Sequence, residues 1–100
     1  MAPGIDLLHV GGHTPGQAIL TVRSGARQVI LTSDAVHYYA ELELDRPFAI
    51  VADVPAMYAA YDQIRELERV PGAVVVAGHD PGVMTRFPGR AGSENVIRVA

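Results

Sequence analysis

Three short motifs each place a side chain that can bind a metal directly after a run of apolar residues. The motifs are Gly12-His13-Thr14-Pro15-Gly16, Ser33-Asp34-Ala35 and Gly78-His79-Asp80-Pro81. The candidate ligands His13, Asp34 and His79 lie 21 and 45 residues apart, so only the fold can bring them together. Two imidazoles and one carboxylate form a nitrogen and oxygen donor set that suits zinc or a similar divalent ion. The sequence therefore predicts a metal site at the ends of three strands.

These ligands are few for a hydrolytic site. Three ligands can hold one metal with an open coordination position, whereas a two-metal site needs more. The other histidines, His9 and His37, belong to no H-x-H or H-E-x-x-H pattern. His9 alternates with apolar residues and is expected to be structural, whereas His37 and Tyr38 follow Asp34 closely enough to reach its pocket. Taken alone, each ligand has an alternative as an ordinary turn residue, and Asp80 is expected to support its turn.

Composition excludes several classes of function. The chain has 100 residues, which is one small domain at most, and 49% of them are hydrophobic, as in globular proteins. The net charge of −3 without a basic cluster argues against a nucleic-acid partner. No apolar run reaches the roughly 18 residues of a membrane span. The chain has no cysteine, which excludes disulfides and thiolate ligands and favours a cytoplasmic protein. All eight basic residues are arginine, as is typical of GC-rich bacterial coding sequences.

The elements that must position the ligands can be predicted from local patterns. Asp53 has the features of a helix N-cap, and Pro55 fits the first turn of an amphipathic helix that ends at residues 70–72. Residues 24–27 predict a hairpin turn, and residues 37–52 an irregular loop with a short helical turn. Strands are predicted over residues 5–10, 17–22, 28–32, 73–77 and 95–99.

The predicted fold is therefore α/β, with a mixed sheet and one main covering helix. One helix cannot cover both faces of five strands, so covering both would need another layer. We expect a large apolar sheet face to remain exposed. Such a chain would either self-associate or pack against a partner segment.

Together the three motifs resemble the metallo-β-lactamase superfamily of metal-dependent hydrolases. Residues 1–100 resemble the C-terminal portion of that domain, which is half of an αββα sandwich. Residues 10–14, 33–39 and 46–51 are most similar to the N-acyl homoserine lactonase group. The family also carries an H-x-H-x-D-H motif upstream of these stretches, and the sequence does not contain it.

The resemblance implies a two-metal site with zinc, or alternatively iron, manganese or cobalt. It implies that His13 binds the first metal, that Asp34 bridges both, and that His79 binds the second. A metal-bridged hydroxide would attack the carbonyl of a small-molecule lactone or ester substrate. His37 stands where some lactonases carry a tyrosine that contacts this carbonyl. Because Tyr38 is next to it, either residue is a candidate for that role.

Three interpretations follow. In the first, the chain is a truncated or split lactonase, inactive alone because the upstream ligands are absent. A glyoxalase II-like thioester or ester hydrolase would use the same half-site. In the second, it is a non-catalytic fragment that binds metal weakly or needs a partner chain. In the third, it is a small binding module whose motifs are ordinary turns.

Overall fold

The computed structural model describes residues 2–100, in which a mixed four-stranded sheet carries one long helix. The sheet order is β1-β2-β3-β4, with antiparallel pairing between the first three strands and parallel pairing of β3 with β4. The mixed α/β architecture predicted from the sequence is confirmed. The strands are β1 (Ile5–His9), β2 (Ala18–Ser24), β3 (Arg27–Leu31) and β4 (Ala73–Val76).

The connections between strands follow from their pairing. The β2–β3 hairpin turns at Gly25, whose φ of 59° lies in the left-handed region that favours glycine. Parallel strands need a long crossover, and the chain between β3 and β4 contains a short 3-10 helix at Ser33–Ala35 and two α-helices. These are α1 (Tyr39–Glu43), which matches the short helical turn expected in this loop, and α2 (Val54–Glu68). A third short helix, α3 (Val83–Arg86), follows β4. No helix in residues 2–100 has the length and apolar character needed to cross a membrane.

Helix α2 begins as the sequence predicts. The side chain of Asp53 accepts a hydrogen bond from the backbone N–H of Ala56 at 3.0 Å, which satisfies one free donor of the first turn. The apolar side of α2 is buried and forms one core with the sheet residues Ile19, Ile30 and Val75. The buried helix residues are Met57, Ala60, Tyr61 and Ile64.

The strand register separates the side chains into two faces. Ile19, Ile30 and Val75 lie on the face that α2 covers. The other face carries a row of cross-strand partners, which we call the open face and define as Leu7, Leu20, Leu31 and Val76. Leu7 is 57% exposed and the other three are half-buried. This exposed apolar row is in line with the predicted excess of strand over helix.

The prediction of a strand over residues 95–99 is wrong. In the described part of the chain, this segment forms only an isolated bridge between Gly89 and Ile97. The β-branched residues of the segment favour a strand locally, but strand formation also needs a sheet edge to pair with. The sheet therefore has four strands instead of five.

Candidate metal centre

The three ligands predicted from the motifs converge on the carboxylate of Asp34. The Nε2 atom of His79 lies 2.7 Å from Asp34 Oδ1. The Nε2 atom of His13 lies 3.6 Å from Asp34 Oδ2. Each carboxylate oxygen thus faces a different imidazole.

A third imidazole belongs to the same cluster. His37 Nε2 lies 3.8 Å from Asp34 Oδ1. Donor atoms of His13, Asp34 and His37 all lie within 4.8 Å of one another, so these three residues form the compact group that could hold one metal ion. The motifs had suggested His79 as the third ligand and His37 as a substrate contact.

Asp34 is placed by a strained turn at the end of β3. Ser33 has a φ of 49°, in the left-handed region that non-glycine residues rarely adopt. The hydroxyl of Thr32 donates to the carbonyl of Val76 at 2.9 Å, which ties the start of the turn to β4. On the far side of Asp34, Ala35 is fully buried in the core. The carboxylate is therefore held between two fixed points.

His13 is placed by the close approach of its neighbour Gly12 to α2 and by one hydrogen bond of its own. Gly12 has a φ of 92°, and a Cβ there would lie 2.8 Å from the Cα of Met57. Only glycine lets the loop lie this close to the helix. The Nδ1–H of His13 donates to the carbonyl of Ile50 at 2.9 Å. With Nδ1 protonated, Nε2 keeps its lone pair for a metal.

His79 is placed by the close approach of its loop to the Asp34 turn. A Cβ on Gly78 would lie 2.3 Å from the carbonyl oxygen of Ser33. The backbone N–H of His79 donates to the carbonyl of His37 at 2.9 Å. The imidazole of His79 remains 58% exposed.

Asp80 anchors the same loop, in agreement with its predicted supporting role. Its carboxylate accepts hydrogen bonds from the backbone N–H groups of Tyr39 at 3.0 Å and Gly82 at 2.7 Å. These hydrogen bonds lower the pKa of Asp80.

His37 lies on a buried polar chain that the sequence did not suggest. Its ring stacks on Phe48 with the centroids 4.1 Å apart, and its Nδ1 lies 3.5 Å from Glu41 Oε1 without forming a hydrogen bond. Glu41 is buried and accepts hydrogen bonds from the Tyr61 hydroxyl at 3.1 Å and from the backbone N–H of Tyr38. Burial and the Glu41 carboxylate raise the pKa of Tyr61, so this hydroxyl stays protonated at neutral pH. The only sequence signal for Glu41 is its i,i+4 spacing from His37.

The two remaining candidates lie at the margin of the cluster. Tyr38 is 42% exposed, and its ring centroid lies 6.4 Å from that of Phe48. His9 is exposed, and its Nε2 lies 2.6 Å from the carbonyl oxygen of Pro15. His9 thus closes the loop that carries His13, a structural role like the one expected for it.

Known proteins share this arrangement of elements. The family model described as the metallo-beta-lactamase superfamily matches residues 1–79. An N-acyl homoserine lactonase from Bacillus sp is 33% identical over 81 residues, which are 80% of this chain and 32% of that protein.

Two solved structures are also similar. One is an N-acyl homoserine lactone hydrolase with the product N-hexanoyl-L-homoserine bound at its catalytic metal center; its TM-score is 0.78 at 26% identity, over 88% of this chain and 35% of that one. The other is a quorum-quenching N-acyl homoserine lactone lactonase, with a TM-score of 0.71 at 29% identity, over 79% of this chain and 33% of that one. The chain thus spans about a third of the length of the relatives that it matches. From the family match and from these relatives, the chain belongs to the metallo-β-lactamase superfamily.

Proposed function

We propose that this chain carries part of the metal centre of a lactone hydrolase with an N-acyl homoserine lactone-like substrate. The observation that supports this most directly is the convergence of His13 and His79 on the two oxygens of Asp34. In the similar hydrolase, the product N-hexanoyl-L-homoserine is bound at the catalytic metal center. We propose that this chain likewise contributes to a metal centre at which an N-acyl homoserine lactone-like substrate binds.

The residues present fit a divalent metal. The donor set consists of imidazole nitrogen and carboxylate oxygen, and the hydrogen bond from His13 Nδ1 to Ile50 leaves His13 Nε2 free to coordinate. In this proposal, His13 and His79 would each hold one of two zinc ions, and the Asp34 carboxylate would be available to both. Bound metal ions would lower the pKa of a water molecule and polarise the lactone carbonyl.

The chain also supplies side chains that can contact the substrate. The His37 ring lies beside Asp34, and the Phe48 ring stacks on it from the other side. Tyr38 is exposed next to Phe48 and can reach a bound molecule from solvent. We propose His37 or Tyr38 as the contact to the substrate carbonyl, with His37 nearer to Asp34.

We further propose that the chain works as the C-terminal portion of its domain. It spans about a third of its relatives, and Leu7, on the open face, is 57% exposed. The rest of such a domain would cover the open face and contribute the remaining metal ligands. Without it, the open face would favour self-association because apolar surface is driven out of water.

A chimera tests both parts of the proposal. The N-terminal two thirds of the Bacillus lactonase would be joined to this chain and assayed with N-hexanoyl homoserine lactone and zinc, following ring opening by the release of acid. We expect turnover by the chimera and little by the chain alone. Asp34→Asn should lower the turnover by about 100-fold or more, because it removes a ligand charge. Asp62→Asn, on the exposed side of α2, is the matched control and should leave turnover unchanged.

The outcomes separate the alternatives. A chimera that binds zinc but cleaves only a thioester would favour the glyoxalase II-like hydrolase. Fast lactone turnover by the chain alone, lost in Asp34→Asn, would show that it needs no further segment. A folded chimera that binds no zinc would contradict the metal site itself.

A further inference from the structure

We propose that His37 is itself a metal ligand, that it forms a one-metal site with His13 and Asp34 within this chain, and that Glu41 positions its ring. The inference rests on the metal centre of the proposed function and is independent of the lactone substrate. This one-metal site belongs to the chain alone: His79 would serve the second metal of the complete domain, and with His37 bound to metal the contact to the substrate carbonyl falls to Tyr38.

The distances suit a single ion. Donor atoms that bind zinc tetrahedrally at about 2.0–2.1 Å lie about 3.4 Å from one another. The His13 Nε2 atom lies 3.6 Å from Asp34 Oδ2, and the His37 Nε2 atom lies 3.8 Å from the other oxygen, Oδ1. One donor atom from each of the three residues lies within 4.8 Å of the other two, so a shared ion would shorten the longest spacing by about 1.4 Å at most.

The His37 ring is buried and packed against neighbouring rings. It is 5% exposed, it stacks on Phe48, and its edge meets the His13 ring with the centroids 5.0 Å apart. A rotation into solvent would break both ring contacts. The Nε2 edge is therefore fixed towards Asp34, as a preorganised ligand requires.

The other ring nitrogen supplies an independent sign of a ligand. His37 Nδ1 is the one buried side-chain nitrogen or oxygen atom of the described residues that lacks a hydrogen-bond partner. Buried polar atoms are rarely left unpaired, because doing so costs about 1–3 kcal/mol. Metal binding at Nε2 would place the proton on Nδ1, and Glu41 Oε1 lies only 3.5 Å away to accept it. Histidine ligands commonly donate their second N–H to a carboxylate in this way.

Two hydrogen-bond donors hold the Glu41 carboxylate in position beside His37. A carboxylate as buried as that of Glu41, which is 5% exposed, needs hydrogen bonds to offset the loss of water. The Tyr61 hydroxyl donates to Oε1 and the backbone N–H of Tyr38 donates to Oε2. Because Tyr61 is fully buried in the core, the position of Oε1 is fixed relative to α2.

Cobalt(II) binding to the full 100-residue chain tests the proposal. Titration at neutral pH should saturate at one equivalent, read from the visible absorption of the bound ion. Proton NMR of the cobalt-loaded chain should show two strongly shifted, exchangeable N–H signals, from Nδ1 of His13 and Nδ1 of His37. These two signals need no variant to be informative, because each can be assigned in protein labelled at histidine nitrogen.

Three variants assign the roles. His37→Phe keeps a buried ring against Phe48 and should weaken cobalt binding by about 100-fold or more, with loss of one shifted signal. Glu41→Gln should weaken binding about 10- to 100-fold and move the His37 signal while leaving the His13 signal in place. Asp62→Asn, on the exposed side of α2, is the matched control and should change the affinity by less than about threefold.

Several results would overturn the proposal. These are no saturable cobalt binding by the unmodified chain, saturation at two equivalents, or loss of binding in His79→Gln with retention in His37→Phe. If His37→Phe does not fold, as judged by circular dichroism, the assigned His37 signal of the unmodified chain decides the matter. Loss of lactonase activity in the chimera with the expected cobalt pattern would contradict the proposed substrate and leave this ligand assignment intact.

Discussion

The two faces of the sheet differ in how completely they are packed. On the covered face, Ile30 and the α2 residues Tyr61 and Ile64 have no exposed surface. On the open face, Leu7 is 57% exposed and its row of partners is half-buried. The segments that carry His13 and Asp34 are anchored on the covered side. Gly12 contacts Met57, and Ala35, the residue after Asp34, is fully buried. The cluster of candidate ligands can therefore form beside a well-packed sheet face while the other face remains exposed.

The largest expected effect is a difference in stability between the faces. Ile64→Ala opens a cavity in the covered core and should lower the free energy of unfolding by about 2–5 kcal/mol. Leu7→Ala removes a side chain that already meets water and should cost less than about 0.5 kcal/mol. Urea unfolding, monitored by circular dichroism, measures both.

The expected difference between Ile64→Ala and Leu7→Ala holds only while the chain is a monomer. The unfolding midpoint of Leu7→Ala should not depend on protein concentration, and its slope against urea should match that of the unmodified chain. Equal losses for the two variants would show that the open face is buried in solution.

A second prediction tests whether the tight packing of the covered face continues into the loops that carry His13 and His79. A Cβ on Gly78 would lie 2.3 Å from the carbonyl oxygen of Ser33, whereas a Cβ on Gly16 would meet nothing within 4 Å. Gly78→Ala should therefore lower the free energy of unfolding by about 1–3 kcal/mol and weaken cobalt binding. Gly16→Ala, in the His13 loop, should be neutral or stabilise the chain by up to about 1 kcal/mol. Unchanged cobalt affinity in Gly78→Ala would show that the loop carrying His79 and the turn carrying Asp34 move independently.

The parts of the fold that local patterns specify were predictable. The amphipathic pattern predicted a helix with one apolar side, which the structure forms with Met57, Ala60, Tyr61 and Ile64, and Asp53 identified the start of that helix. A strand over residues 95–99 was predicted in error, because its propensity is local and its pairing partner is not.

The site likewise has parts that were predictable from the sequence and parts that were not. The motifs identified His13, Asp34 and His79 as residues that would meet, since each follows a strand. The sequence placed His37 within reach of the Asp34 pocket, but it did not indicate that the His37 ring packs against the His13 ring. That proximity depends on a five-residue helix and on stacking against Phe48, neither of which leaves a periodic pattern in the sequence.

A third prediction concerns the anchor that Asp80 provides for the His79 loop. Hydrogen bonds from Tyr39 and Gly82 lower the pKa of Asp80 in the folded state. Its carboxylate therefore stabilises the fold above the unfolded pKa of about 3.9, and this contribution is lost as the pH falls through the lower folded value. Asp80→Asn should reduce Tm at pH 6 by less than Gly78→Ala does, and the difference from the unmodified chain should shrink below pH 4. A difference that is constant from pH 6 to pH 2.5 would contradict the role of the charged carboxylate.

The smallest expected effect lies on the outer side of α2, opposite the core. Glu66 and Arg69 form an ion pair at 3.0 Å with their side chains 72% and 76% exposed. Water and salt screen such a pair, so Glu66→Gln should cost about 0.2–0.5 kcal/mol in low salt and less in 1 M sodium chloride. Glu68→Gln is the control, because it removes the same charge near the end of the helix where the described residues offer it no ion pair. That substitution should be neutral or slightly stabilising, since the helix dipole disfavours a negative charge there. Urea midpoints at the two salt concentrations give both values. A loss above about 1 kcal/mol that salt does not reduce would mean that this side of α2 is shielded from water, so that the helix, like the sheet, has a second packing surface.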